Sequence, residues 1–126
     1  MGKSNFVSEK NSFYTYLQKI PALREMTVKN PHLKHEFIPA SSDYFREQFY
    51  WDSFFILQGV LEMEETTYRN ELIKGMVENF FDMINEYGYI PNSYGRYNTR
   101  SQPPFLSSMV LIVYDLFKDD EWLKKA

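Results

Sequence analysis

Hydrophobic and polar residues alternate with the period of an α-helix most clearly between Tyr68 and Tyr87. One face of this segment is an apolar stripe, and the other faces carry charged and amide side chains. Gly88 and Pro91 follow directly, and both residue types favour the end of a helix. The pattern therefore predicts an outer helix that is exposed to water on one side.

Two further segments are hydrophobic on nearly all sides of a helix. The first starts near Trp51, with Asp52 and Ser53 as candidate N-terminal caps. The second covers residues 105–117 and follows two prolines, which suit the first turn of a helix. Because neither segment has a continuous polar face, both helices are predicted to be buried on most sides.

The rest of the chain predicts shorter elements. Apolar spacing indicates a short helix over Asn11–Ile20, and an extended connector with at most one helical turn leads from there to Asp43. An aspartate cap before Glu121 predicts a last helix. No segment alternates with period two, so the fold class is all-α. The order of buried and amphipathic helices fits helical hairpins around a common axis or another multilayer helical array.

Composition excludes several classes of function. The 126 residues contain no cysteine, and His32 and His35 lack a third ligand, so we expect a solvated histidine pair, no metal site and no cofactor. A net charge of −3 without a basic run argues against nucleic acid. No apolar run has the length of a membrane span or the character of a signal peptide, so the default expectation is a cytoplasmic protein.

Aromatic residues are unusually frequent, with 11 Phe, 10 Tyr and 2 Trp. Such side chains build apolar cores, and Tyr and Trp also form the flat, hydrogen-bonding platforms on which sugar rings sit. Composition alone does not choose between these two uses. The choice depends on motifs.

Two motifs carry chemistry. Residues 44–52 read Tyr-Phe-Arg-Glu-Gln-Phe-Tyr-Trp-Asp, and residues 90–104 begin Ile-Pro-Asn and end Arg-Ser-Gln-Pro-Pro. The first resembles the trehalase signature Pro-Gly-Gly-Arg-Phe-x-Glu-x-Tyr-x-Trp-Asp, and the second is similar to two segments of the same family. The resemblance covers roughly residues 41–117. It implies an (α/α)6 toroid, of which residues 41–126 would form an incomplete part, preceded by an N-terminal helix and connector over residues 1–40.

The resemblance also implies a sugar-binding site, because the family holds its substrate with residues from both motifs. The sugar contacts it implies are Trp51, Asp52, Asn92, Arg100, Ser101 and Gln102, with Tyr44 and Phe45 as further candidates. These residue types offer a stacking face, hydroxyl acceptors and planar donors. Each also has an ordinary structural role, as core, helix cap, turn residue or solvated charge.

The chain departs from the family in two ways that bear on function. The family arginine expected to touch sugar is Tyr44 here, and the loop from Asn92 to Arg100 is one residue shorter. The acid and base of inverting hydrolysis lie further along the family's sequence, so no catalytic residue is expected in this chain. We therefore expect part of a trehalase-like glycoside hydrolase that binds a disaccharide or glucose, with the remainder of a split or truncated enzyme as a partner. The alternative is a small non-catalytic helical sugar-binding or interaction protein.

Overall fold

The computed structural model describes residues 22–41 and 43–126. Over these ranges the regular structure is helical, with two isolated antiparallel bridges, Val28 to Phe37 and Phe49 to Ser93. The helices are α1 (Leu23–Met26), α2 (Tyr50–Leu61), α3 (Thr67–Tyr87), α4 (Leu106–Phe117) and α5 (Asp120–Lys125). The all-α prediction is confirmed, and the helix expected over Asn11–Ile20 lies outside the described residues.

Helices α2 and α3 form an antiparallel hairpin. The Tyr50 ring at the start of α2 packs 5.4 Å from the Phe80 ring, near the end of α3. At the opposite end of the pair, the Arg69 guanidinium donates a hydrogen bond of 3.1 Å to the Leu61 carbonyl. The chain therefore runs away along α2 and comes back along α3, so that the end of α3 lies near the start of α2.

Helix α4 packs against the same hairpin. The Tyr50 hydroxyl accepts hydrogen bonds from the backbone N–H groups of Phe105 and Leu106, which brings the start of α4 to the start of α2. The other end of α4 lies over the first half of α3, where the Lys74 ammonium sits 4.9 Å from the Phe117 ring centroid. Helices α3 and α4 are therefore antiparallel neighbours.

Helix α3 is the most enclosed element, which corrects the predicted layering. Its apolar stripe is almost wholly buried, while Phe55 on α2 is 56% exposed and Leu111 on α4 is 58% exposed. The expectation that α2 and α4 are buried on most sides is therefore wrong for the described residues. Both helices pack on α3 and on each other, and Phe55 and Leu111 stay exposed among the described residues.

The ends of the helices follow the sequence signals in part. Thr66 caps α3 by accepting the Arg69 N–H, and Gly88 ends that helix in a left-handed conformation with φ 81°. The caps expected for α2 are wrong, because Asp52 and Ser53 lie inside its first turn and Phe49 holds the cap position. The two prolines lie just outside α4, since Phe105 is its N-cap.

The connector before α2 is part of the core. Leu33, Phe37 and Ile38 pack in the same cluster as the buried face of α3. The Asn79 side chain of α3 anchors this segment, because it accepts the His35 N–H at 3.1 Å and donates to the His35 carbonyl at 2.9 Å. Helix α3 thereby holds a segment that is 44 residues away in the sequence.

Candidate functional site

The two motifs meet at the N-terminal end of α2. The Tyr50 N–H donates 2.9 Å to the Asn92 carbonyl, and the Asn92 N–H donates 2.7 Å to the Arg100 carbonyl. The Trp51 N–H donates 2.9 Å to Gln102 Oε1. Backbone amides in the first turn of a helix have no partner within the helix, and here the second motif supplies those partners. The same bonds fix the position of the loop relative to α2.

An open cavity of about 310 Å³ lies at this junction. Its lining residues come from the connector, from both motifs and from the start of α2: Ala40, Phe45, Phe49, Trp51, Asp52 and Gln102. Trp51 keeps 40% of its surface accessible, so its ring is available to a ligand. Aromatic faces beside a carboxylate and an amide suit a ligand that is apolar on one face and rich in hydroxyl groups at its edge.

Asp52 reaches the cavity because of its place in α2. It stands in the first turn, where a negative charge is favoured by the helix dipole. Its neighbour Ser53 points the other way and is buried, with its hydroxyl donating 2.6 Å to the Phe49 carbonyl. One carboxylate therefore faces the cavity, and among the described residues no second acidic side chain lines it.

The other expected contacts lie beside the cavity rather than in its lining. Asn92 is held by its backbone, and its Oδ1 atom is shielded from solvent without a hydrogen-bond partner. Arg100 and Ser101 are exposed, and the Ser101 hydroxyl donates 3.3 Å to the Gln102 carbonyl. Tyr44 is exposed and lines no part of this cavity, whereas Phe45 does.

A buried amide pair supports the first motif and was not predicted from the sequence. Gln48 donates 2.8 Å to the Met76 carbonyl of α3, and Gln48 Oε1 accepts 2.9 Å from Asn79. Both side chains are fully buried and satisfied, as buried amides need to be. Asn79 interrupts the hydrophobic face of α3, and this interruption is the sequence feature from which a buried amide contact could have been predicted.

An aromatic row supports the same wall of the cavity. The Phe45 ring packs edge-on against Phe49 at 5.5 Å, and Phe49 packs against Tyr97 of the loop at 5.8 Å. Within the loop, the Ser93 N–H donates 3.3 Å to the Tyr97 carbonyl. The loop and the first motif therefore share one small hydrophobic cluster.

The described residues define an all-α helical protein with an aromatic and polar cavity at one end of its helices. The chain belongs to the trehalase family, whose model matches residues 6–126. It is 42% identical over 90 residues to a trehalase of Arabidopsis thaliana, which covers 71% of this chain and 13% of that protein. It is 49% identical over 85 residues to a trehalase of Dictyostelium discoideum, covering 66% of this chain and 12% of the relative.

A bacterial relative has a similar degree of identity. The periplasmic trehalase of Xanthomonas campestris pv. campestris (strain B100) is 48% identical over 67 residues, which is 52% of this chain and 11% of that protein. The chain thus spans between a tenth and a seventh of the length of these curated relatives. Within the part of the chain that the structure describes, no helix has both the length and the apolar character needed to cross a membrane.

Proposed function

We propose that this chain is part of a trehalase-like glycoside hydrolase that acts on an α-linked glucose disaccharide, trehalose, by inverting hydrolysis. In this proposal the chain supplies sugar-binding residues, and the catalytic acid and base come from other residues. The observation that carries it is the meeting of Phe45, Trp51, Asp52 and Gln102 around one cavity. Residues 41–126 would form part of an (α/α)6 toroid, with residues 1–40 as its N-terminal helix and connector.

Each lining residue has a role in this proposal. The Trp51 ring would stack on a glucose ring, and the Asp52 carboxylate would accept hydrogen bonds from two sugar hydroxyls. Gln102 Oε1 already accepts the Trp51 N–H, so its amide N–H groups would be the ones that meet the ligand. Asn92 is proposed as a further contact through its side-chain N–H groups, since its Oδ1 atom is shielded from solvent.

Arg100 and Ser101 belong to the proposal as contacts of the complete site. Both side chains are exposed here beside the cavity. Arg100 would present its planar donor fork to a sugar hydroxyl pair, as the family resemblance implies. Because these two side chains do not line the cavity formed by the described residues, their contribution to binding by this chain should be smaller than that of Asp52.

Among the described residues, Asp52 is the one carboxylate that lines the cavity, which supports a binding role for this part of the chain. Inverting hydrolysis needs one carboxylic acid at the leaving oxygen and one carboxylate that activates water. Asp52 alone cannot fill both roles. We propose that further trehalase residues, in the same or another polypeptide, supply them and cover the exposed apolar faces of α2 and α4 around Phe55 and Leu111.

Calorimetric titration with trehalose, together with a glucose-release assay, tests the proposal. We expect weak binding, with a Kd of about 1 mM or higher because the cavity is open, and no glucose release above a buffer control. Asp52→Asn should weaken binding at least about tenfold, because it removes charge-assisted hydrogen bonds. Asp115→Asn is the matched control, since Asp115 is an exposed helical carboxylate near the end of α4.

The possible outcomes separate the proposal from its alternatives. Equal loss of binding in the Asp52 and Asp115 variants, or no binding by the wild-type chain, would contradict a sugar site at this cavity. Reproducible glucose release that disappears in Asp52→Asn would contradict the division between binding and catalysis. A cytoplasmic location is also proposed, and it rests on the sequence alone. One bacterial relative carries the name periplasmic trehalase.

A further inference from the structure

Arg96 lies in the loop of the second motif and joins it to the first motif. Its Nη1 atom donates 3.2 Å to the Tyr44 carbonyl and lies 3.6 Å from Glu47 Oε1. Its guanidinium carbon lies 5.1 Å from the centroid of the Tyr97 ring. One side chain therefore contacts the backbone, a carboxylate and a ring from two segments that are about fifty residues apart.

Arg96 is a charge partner of Glu47. The Glu47 Oε2 atom is shielded from solvent and has no hydrogen-bond partner. The Glu47 side chain is 20% exposed, so the carboxylate is largely withdrawn from water. A carboxylate in such a position needs a nearby cation, because desolvation without one is costly.

The turn that Arg96 contacts carries Phe45, which lines the cavity. Ser41 closes this turn: its N–H donates 2.9 Å to the Phe45 carbonyl, and its hydroxyl oxygen accepts the backbone N–H groups of residues 43, 44 and 45. Beyond the turn, Phe45 continues the aromatic row through Phe49 to Tyr97. Arg96 contacts both ends of this aromatic row, since it donates a hydrogen bond to the Tyr44 carbonyl next to Phe45 and lies over the Tyr97 ring.

We propose that Arg96 is a positioning residue that holds the Tyr44–Phe45 turn in place, so that Phe45 forms a wall of the sugar cavity. Arg96 acts through this turn and not by touching the ligand, since it does not line the cavity. The proposal rests on the proposed function, because it concerns one wall of the same site. Both polar contacts of Arg96 use a single nitrogen atom, so a lysine ammonium can replace these two contacts.

The test compares Arg96→Ala and Arg96→Lys with the wild-type chain by amide hydrogen exchange and by trehalose titration. Arg96→Ala should speed exchange of the Ser41 amide about three- to tenfold and weaken trehalose binding by a similar factor, as loss of a half-exposed ion pair and one hydrogen bond allows. Exchange of the Met76 amide in the buried part of α3 should not change. Arg96→Lys should restore most of both effects.

Arg24→Ala is the matched control, because Arg24 is another exposed arginine on an aromatic ring, 3.8 Å from Tyr68, and lies on α1 outside the cavity. It should leave the Ser41 amide and trehalose binding unchanged. Unchanged Ser41 exchange in Arg96→Ala, or equal acceleration of the Ser41 and Met76 amides, would overturn the proposal. If the wild-type chain gives no trehalose signal, the proposed function fails, while the exchange data still decide whether Arg96 holds the turn.

Discussion

We expect substitution of glycine by alanine to change stability in opposite directions at Gly75 and Gly59. Both lie within helices, where replacing glycine by alanine stabilises the helix by about 0.5–1 kcal/mol in the absence of other contacts. At Gly59 of α2, an added Cβ has no neighbour within 4 Å. At Gly75 of α3, it would lie 2.9 Å from His35 Cβ and 3.0 Å from His35 Cγ.

His35 cannot move away easily. Its backbone makes two hydrogen bonds to Asn79, and its Nε2 atom lies 2.9 Å from Glu78 Oε2. Overpacking of this kind costs about 1–3 kcal/mol, which outweighs the gain in helix propensity. We therefore expect Gly59→Ala to raise the free energy of unfolding by about 0.5–1 kcal/mol and Gly75→Ala to lower it by about 0–2 kcal/mol.

Urea unfolding at constant m-value measures both changes. The clash is isolated by repeating Gly75→Ala in a His35→Gly background, where the contacting side-chain atoms are gone. There the alanine should stabilise the protein, and the coupling should be about 1–3 kcal/mol. Equal stabilisation by Gly59→Ala and Gly75→Ala would refute the docking of the connector on α3, and with it the placement of Ala40 in the cavity wall.

Three further predictions follow from buried groups. Arg69→Ala should lower the free energy of unfolding by about 2–4 kcal/mol, because the buried guanidinium donates hydrogen bonds to the Leu61 and Met63 carbonyls at the end of α2. A loss below about 1 kcal/mol in urea unfolding would contradict that role. Burial, and then a hydrogen bond to Glu86, raises the pKa of Tyr94 from 10.0 to about 12. The unfolded chain releases this proton first, so urea midpoints should fall between pH 10 and 12, and less steeply in Tyr94→Phe. Leu57→Ala should cost about 2–5 kcal/mol and Leu111→Ala less than about 1 kcal/mol; equal costs in urea unfolding would contradict the observed layering.

The helices themselves were predictable because their signals are local. The stripe of α3, its stop at Gly88 and the Asp119 cap of α5 each depend on a few neighbouring residues, and the structure confirms them. The burial of α2 and α4 was not predictable, because uniform hydrophobicity says that a helix needs partners without saying which part of the chain provides them. Phe55 and Leu111 belong to helices that the pattern predicted to be buried, and both side chains are exposed.

The residues of the candidate site were predictable, because the motifs specify residue types. Their arrangement in space was not, because the motifs do not specify distances or contacts. The resemblance named Trp51, Asp52 and Gln102, and these three line the cavity. It did not foresee that Gln102 would accept the Trp51 N–H, since such a bond depends on how the loop returns across α2. Asp52 has the sequence character of a cap, and only the start of the helix at Tyr50 shows that it lies inside the first turn instead.

The two tryptophans of the chain allow a direct test of whether the cavity at the start of α2 binds trehalose. Trp51 lines this cavity, whereas the Trp122 indole N–H donates 3.0 Å to Glu78 away from it. In a nitrogen-15 NMR titration with trehalose up to about 100 mM, we expect the Trp51 indole signal to shift and saturate while the Trp122 signal stays in place. A stationary Trp51 signal, or equal shifts of both signals, would contradict a sugar site at this cavity.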